Sequence, residues 1–151
     1  MKKPSFYISC PFDTYSGYGA RSRDIVKSII ELDKYDVKLL SQKWGNTPFN
    51  FTTDHPEWGY LRELVVPGVN KSNKPDIWMQ ITIPSEFAPV GKFNIGCTAG
   101  IESTGCDHTW MEGLNRMDMN WVSSKHSKKV FTEAKFEQKD QQGRTTGHVL
   151  Q

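Results

Sequence analysis

The chain has no apolar run near the roughly 20 residues that a bilayer-crossing helix needs. Its start, "MKKPSFYISCPFD", breaks its one apolar stretch at Ser9, Cys10 and Pro11 before a signal-peptide core is complete. A cytoplasmic protein with no membrane span is the expectation. Cysteine is scarce: Cys10, Cys97 and Cys106 are odd in number and form no Cys-x-x-Cys pair, which argues against a disulfide framework and a zinc ribbon. Charge of one sign is missing too, since 19 basic and 17 acidic residues leave a formal charge of +2. That balance is unlike a strongly basic nucleic-acid surface, and no nucleic-acid partner is expected. No internal repeat or low-complexity segment is visible, and 151 residues suffice for one compact unit but not for two large lobes.

Aromatic side chains, by contrast, are plentiful, with five Trp, five Tyr and eight Phe. Trp44, Trp58 and Trp110 sit in polar, turn-like company, where they either stack on a sugar or base or pack a loop onto the domain.

Periodicity organises the rest. "SFYISC" (5–10) reads as a buried strand followed by the turn "PFDTYSG". From Tyr18 to Asp33, Ile25, Val26, Ile29, Ile30 and Leu32 recur at helical spacing, with Arg23, Asp24, Lys27, Ser28 and Glu31 on the other face. "DVKLLS" (36–41) completes a βαβ unit, which implies a parallel sheet. The stretch 42–60 carries no period and reads as an irregular surface loop, with a short helix after Pro56. Further strands are expected near 76–82, 92–98 and in "DMNWVSS". Asp107 caps a short helix with Trp110, Met111 and Leu114 inward, and Ser123 or Ser124 caps a basic one. The fold class is therefore α/β, a Rossmann-like parallel sheet flanked by helices. After Phe136 the pattern dissolves, although "GHVLQ" looks like the start of a strand and hints that the natural chain continues.

In open α/β sheets, ligands gather outside the carboxyl ends of the strands. Polar loops at 11–19, 83–91 and 99–108 fall at that edge. In "YSGYGARSRD", Gly17 and Gly19 run into a helix start with Arg21 nearby, a plausible anion site, or else simply a tight turn. "GYGARS" lacks the third glycine of a dinucleotide fingerprint, and no P-loop lysine follows, so a nicotinamide oxidoreductase or P-loop enzyme is disfavoured. "TAGIESTGCDHTW" is the densest polar segment. Glu102 is placed to act as a base or to hold substrate hydroxyls, while Asp107 and His108 open a helix or serve only as cap and solvated neighbour. Cys97 and Cys106, nine residues apart, fit no standard ligand spacing with Asp107 and His108, so no metal is expected. Lys125, His126, Lys128 and Lys129 read as a solvated helix face.

The succession of "DTYSGYGARSRDIVKSI", "PDIWMQITIPSEF" and "GIESTGCDHTWMEGLNRMDMNWVSSKHSKKVF" resembles the amino-terminal domain of glycosyltransferases of the GT-B architecture, over about residues 4–135. The resemblance implies a Rossmann-like acceptor-side domain over 1–135, with 136–151 a tail or the start of a connection to a donor-binding half in cis or in trans. It implies a nucleoside diphosphate sugar as co-substrate, a hydroxyl acceptor and no tightly bound cofactor. It puts Gly17, Tyr18, Gly19 and Arg21 at the donor diphosphate, Glu102 at the reacting centre where many relatives carry histidine, and Asp107, His108 and Trp110 around the acceptor. Alone, such a half is expected to show little transferase activity. The competing expectation is a non-catalytic Rossmann-like module that binds carbohydrate or protein through the 42–60 loop.

Overall fold

A computed structural model describes residues 1–149. Among them, five strands, β1 (Ser5–Cys10), β2 (Asp36–Ser41), β3 (Ile77–Ile81), β4 (Phe93–Thr98) and β5 (Met119–Val122), form an all-parallel sheet in the order β2-β1-β3-β4-β5. The chain begins in an interior strand, places β2 on one side and β3 on the other, and so reverses direction between β1 and β3. Such a reversal opens a crevice at the carboxyl ends of the two strands.

Alternation along the strands sorts the side chains between two apolar layers. Ile8, Leu39, Met79, Ile81 and Cys97 face one layer, which is closed by Val26 and Ile29 of α1 (Gly17–Glu31) and by Leu61 of a 3₁₀ segment, Pro56–Leu64. On the opposite face Trp78 packs with Phe87, with Met111 and Leu114 of α3 (His108–Asn115), and with Phe131 of α4 (Lys125–Glu133). The second face also holds buried amides, and each is satisfied. Gln80 Nε2 donates to the Glu86 carbonyl at 2.9 Å and Gln80 Oε1 accepts from Ala88 N at 3.0 Å. Asn94 Oδ1 accepts from Gly91 N at 2.8 Å, and its Nδ2 donates to Asp118 Oδ2 at 3.0 Å. A buried amide left unpaired costs about 1–3 kcal/mol, so these bonds hold the 84–91 loop against the sheet. Gly96 makes room for that loop: a Cβ there would lie 2.4 Å from the Phe87 ring.

The expected strands and helices form close to their expected bounds, with Asp107 and Ser124 as the caps of α3 and α4. Three local readings change. Arg23, assigned to the solvated face of α1, is buried with 5% exposure, because carbonyls of the preceding loop converge on it. Within 42–60, expected to be irregular, a single helical turn, α2 (Phe51–Asp54), forms because Asp13 Oδ1 accepts from both the amide and the hydroxyl of Thr52, each at 2.8 Å. Beyond Lys135 an antiparallel hairpin, β6 (Phe136–Lys139) and β7 (Thr145–Val149), is closed by Asp140, whose Oδ1 accepts from Gln142 N at 2.9 Å and Arg144 N at 2.8 Å. The last two residues of "GHVLQ" lie outside the described residues.

Candidate functional site

The loop after β1 builds the start of α1 from short-range bonds. Ser16, the N-cap, accepts from Gly19 N at 2.9 Å, and its hydroxyl meets Thr14 Oγ1 at 2.8 Å. A side chain at the N-cap satisfies one of the amides that a helix start leaves open. The two glycines have different surroundings. A Cβ on Gly19 would lie 2.4 Å from the Thr14 carbonyl oxygen, whereas one on Gly17 would meet nothing within 4 Å. Gly19 lets the helix pack against its own entry loop, and Gly17 leaves the helix terminus open.

Arg23 locks that entry loop. Its Nη1 donates to the Phe12 and Thr14 carbonyls at 2.7 and 3.0 Å, and its guanidinium lies 3.4 Å from the centre of the Phe51 ring. Burial pulls its pKa down. The amphipathic pattern alone did not reveal this role.

Tyr18 ties α1 to the carboxyl end of β4. Its hydroxyl meets Thr98 Oγ1 at 3.1 Å and accepts from Ala99 N at 3.1 Å, while its ring stacks on Trp44 at 4.0 Å between centroids. Trp44 is thus a packing partner of the site's first helix. Trp58 packs at the margin of the first core layer, with Lys27 Nζ 5.9 Å from its ring centre. Arg21, one turn along α1, interacts with the Cys97 thiol; burial raises that thiol's pKa and Arg21 opposes the rise. Arg21 Nε is buried with no hydrogen-bond partner. Buried N–H groups ordinarily have an acceptor, so the Nε of Arg21, on a guanidinium that also bonds the Cys97 thiol of β4, stands out as a donor without one.

The loop from Ala99 to Asp107 forms the other wall of that mouth. Gly100 has φ 96° and leaves no room for a side chain, since a Cβ would sit 2.0 Å from Ser127 Oγ. Ser123 Oγ donates to the Ala99 carbonyl, and His126 Nε2 lies 3.1 Å from the Ser103 carbonyl, so the loop rests on the start of α4. Glu102 is exposed, and no hydrogen bond or ion pair engages it among the described residues. No such bond joins it to Gly17, Tyr18, Gly19 or Arg21. The two walls meet instead through the Tyr18 hydroxyl and Ala99.

The remaining sequence candidates lie on the first turn of α3. Asp107 Oδ1 accepts from Thr109 N at 2.8 Å and Thr109 Oγ1 at 2.6 Å, bonds that lower its pKa. His108 is exposed, its Nδ1 lies 3.5 Å from Asp107 Oδ1, and its ring meets Phe136 edge-on at 6.3 Å. Trp110 is half-buried beside Phe131, with centroids 6.2 Å apart. Asp107 and Trp110 therefore have structural work as cap and packing residue. Among the described residues, no three His, Cys, Asp or Glu side chains gather closely enough to hold a metal ion, and no helix is long and apolar enough to cross a membrane.

Set against protein-family models, curated proteins and solved structures, the chain matches none. Its parallel sheet belongs to a general α/β class that hosts many unrelated activities and is not particular to glycosyltransferases.

Proposed function

We propose that the chain is the acceptor-side half of a GT-B glycosyltransferase, moving a sugar from a nucleoside diphosphate donor to a hydroxyl group. The observation that carries the reading is the buried, unpartnered Nε of Arg21, one turn along α1 from Gly17, where a Cβ would meet nothing within 4 Å. The Gly17 and Tyr18 amides and the Arg21 guanidinium would meet the donor diphosphate, where charge grows as the glycosidic oxygen–carbon bond breaks. The acceptor oxygen bonds to the anomeric carbon, its proton passes to Glu102, and the nucleoside diphosphate departs with the bonding electron pair. Asp107, His108 and Trp110 would border the acceptor. The other half of the donor site comes from a second domain, in cis or in trans.

In a complete enzyme containing that half, Glu102→Gln should cut turnover by about 10²–10⁴-fold, the usual worth of a positioned acid–base group. Unchanged turnover would remove Glu102 from the chemistry. Arg21→Ala should raise KM for the nucleotide sugar about tenfold or more, the scale of losing one charge-assisted contact.

A non-catalytic binding module is the second reading. It is favoured by Met119 and Trp121, 46% and 39% exposed on the edge strand β5. Intrinsic tryptophan fluorescence separates the two. Quenching by uridine diphosphate glucose or guanosine diphosphate mannose supports the transferase half, and quenching by oligosaccharides with no response to either nucleotide sugar supports the module.

A further inference from the structure

We propose that the cavity between the 104–106 loop, α4 and the start of β6 binds a small organic anion, a phosphate or carboxylate carried on an apolar body. The cavity measures about 660 Å³, within the roughly 300–1,000 Å³ of small-molecule sites. Its lining joins the cationic side chains of Lys129 and Lys135, and the imidazole of His126, to the apolar groups of Val130, Ala134 and Phe136.

Charge selects the class of ligand. Neither lysine forms an ion pair among the described residues, and Glu133 is the one carboxylate in the lining. The two lysines outnumber that single carboxylate, so the lining carries a net positive charge beside apolar surface, which favours an anion. The apolar part of the lining adds a preference that a bare inorganic ion cannot satisfy, because only a ligand with apolar surface gains by removing it from water. The wall is also held in place: a carbonyl oxygen can only accept, so His126 Nε2 donates to Ser103 and pins the loop to α4. The proposal stands on this cavity alone and does not depend on the transferase reading, although its neighbours Asp107 and His108 would make it an acceptor subsite if both hold.

Cys106 provides the reporter. It lines the cavity and is partly exposed, whereas Cys10 and Cys97 are buried. Its alkylation by N-ethylmaleimide can be followed in the intact folded protein with phenyl phosphate as probe. Saturable protection is expected, and the double variant Lys129→Glu/Lys135→Glu should raise the protection midpoint about tenfold or more, since attraction becomes repulsion at two positions. Both lysines are exposed, as is Lys128, which is outside the lining; Lys128→Glu should leave the midpoint unchanged. Inorganic phosphate and phenol, which each carry half of the chemistry, should protect at least about tenfold more weakly. Absence of protection by phenyl phosphate, a midpoint unmoved by the double charge reversal, or equal protection by phosphate or phenol alone would each overturn the proposal.

Discussion

Gly19→Ala and Gly17→Ala add the same methyl group two residues apart and should move stability in opposite directions. The new Cβ at residue 19 would lie 2.4 Å from the Thr14 carbonyl oxygen and 2.8 Å from Thr14 Oγ1. Neither atom is free to retreat. Thr14 is fully buried, its carbonyl accepts from Arg23 Nη1 at 3.0 Å, and its hydroxyl donates to Pro11 O at 2.8 Å. Alanine gains about 1 kcal/mol of helix propensity over glycine. Against this, overpacking costs about 1–3 kcal/mol, and disturbing two hydrogen bonds costs about 1 kcal/mol each. The net is a loss of about 2–4 kcal/mol, or a fall in Tm of about 4–16 °C for a chain of this length. At residue 17 the methyl group meets nothing within 4 Å, so only the propensity gain of up to about 1 kcal/mol remains. Thermal and urea denaturation followed by circular dichroism read both variants. A Gly19→Ala protein as stable as the parent, or a Gly17→Ala protein that falls as far, would refute the assignment of the two glycines to separate jobs. Under the transferase reading, Gly17→Ala stays folded yet binds nucleotide sugar more weakly, because the methyl group crowds the approach to the helix amides.

Arg23→Leu removes the donor to two loop carbonyls in a buried setting and should cost about 2–4 kcal/mol in urea unfolding; a loss under about 0.5 kcal/mol, the size of a surface change, would mean that Arg23 is not the lock on the β1 loop. Asp76 accepts from Lys92 Nζ at 2.7 Å and from Ser5 N and Oγ at 3.0 and 3.1 Å, and its pKa is lowered from 3.8 to about 2, chiefly by Lys92. Because the folded value lies below the unfolded one, the Asp76 contribution is present above about pH 4 and is lost as pH falls toward about 2. Asp76→Asn should flatten the stability profile in that window, and an unchanged slope would show that these bonds do not link folding to the proton there. Burial raises the Cys10 thiol to about 12 and also raises Cys97. Burial and then Asp107 raise the Cys106 thiol as well, but it alone is partly exposed, so a disulfide reagent should titrate that one thiol ahead of the other two in the native protein, and all three in urea; rapid reaction of more than one would place another cysteine at the surface.

Some features could be read directly because they are periodic or local. The apolar runs of β1, β2 and β3, which include Ile8, Leu39 and Met79, belong to strands packed on two faces, and Val26 and Ile29 repeat at helical spacing. Asp107 and Ser124 cap their helices within two or three residues of themselves. Such signals depend only on neighbouring residues, so the α/β class and most element bounds were visible in the amino-acid order.

The amino-acid sequence by itself determined the alternation of strands and helices, the shortage of membrane-spanning apolar length and the polar loops at the carboxyl edge. Only the tertiary structure decided that Tyr18 meets Thr98, 80 residues away, that Trp44 is a stacking partner of Tyr18, that Arg23 turns inward, and that Arg21 Nε is buried without an acceptor. It likewise brought Lys129 and Lys135 to one cavity with Cys106. The physical reason is that local periodicity records how often a side chain is buried, whereas the identity of its partner depends on the path of the whole chain and on which polar atoms that path leaves unpaired.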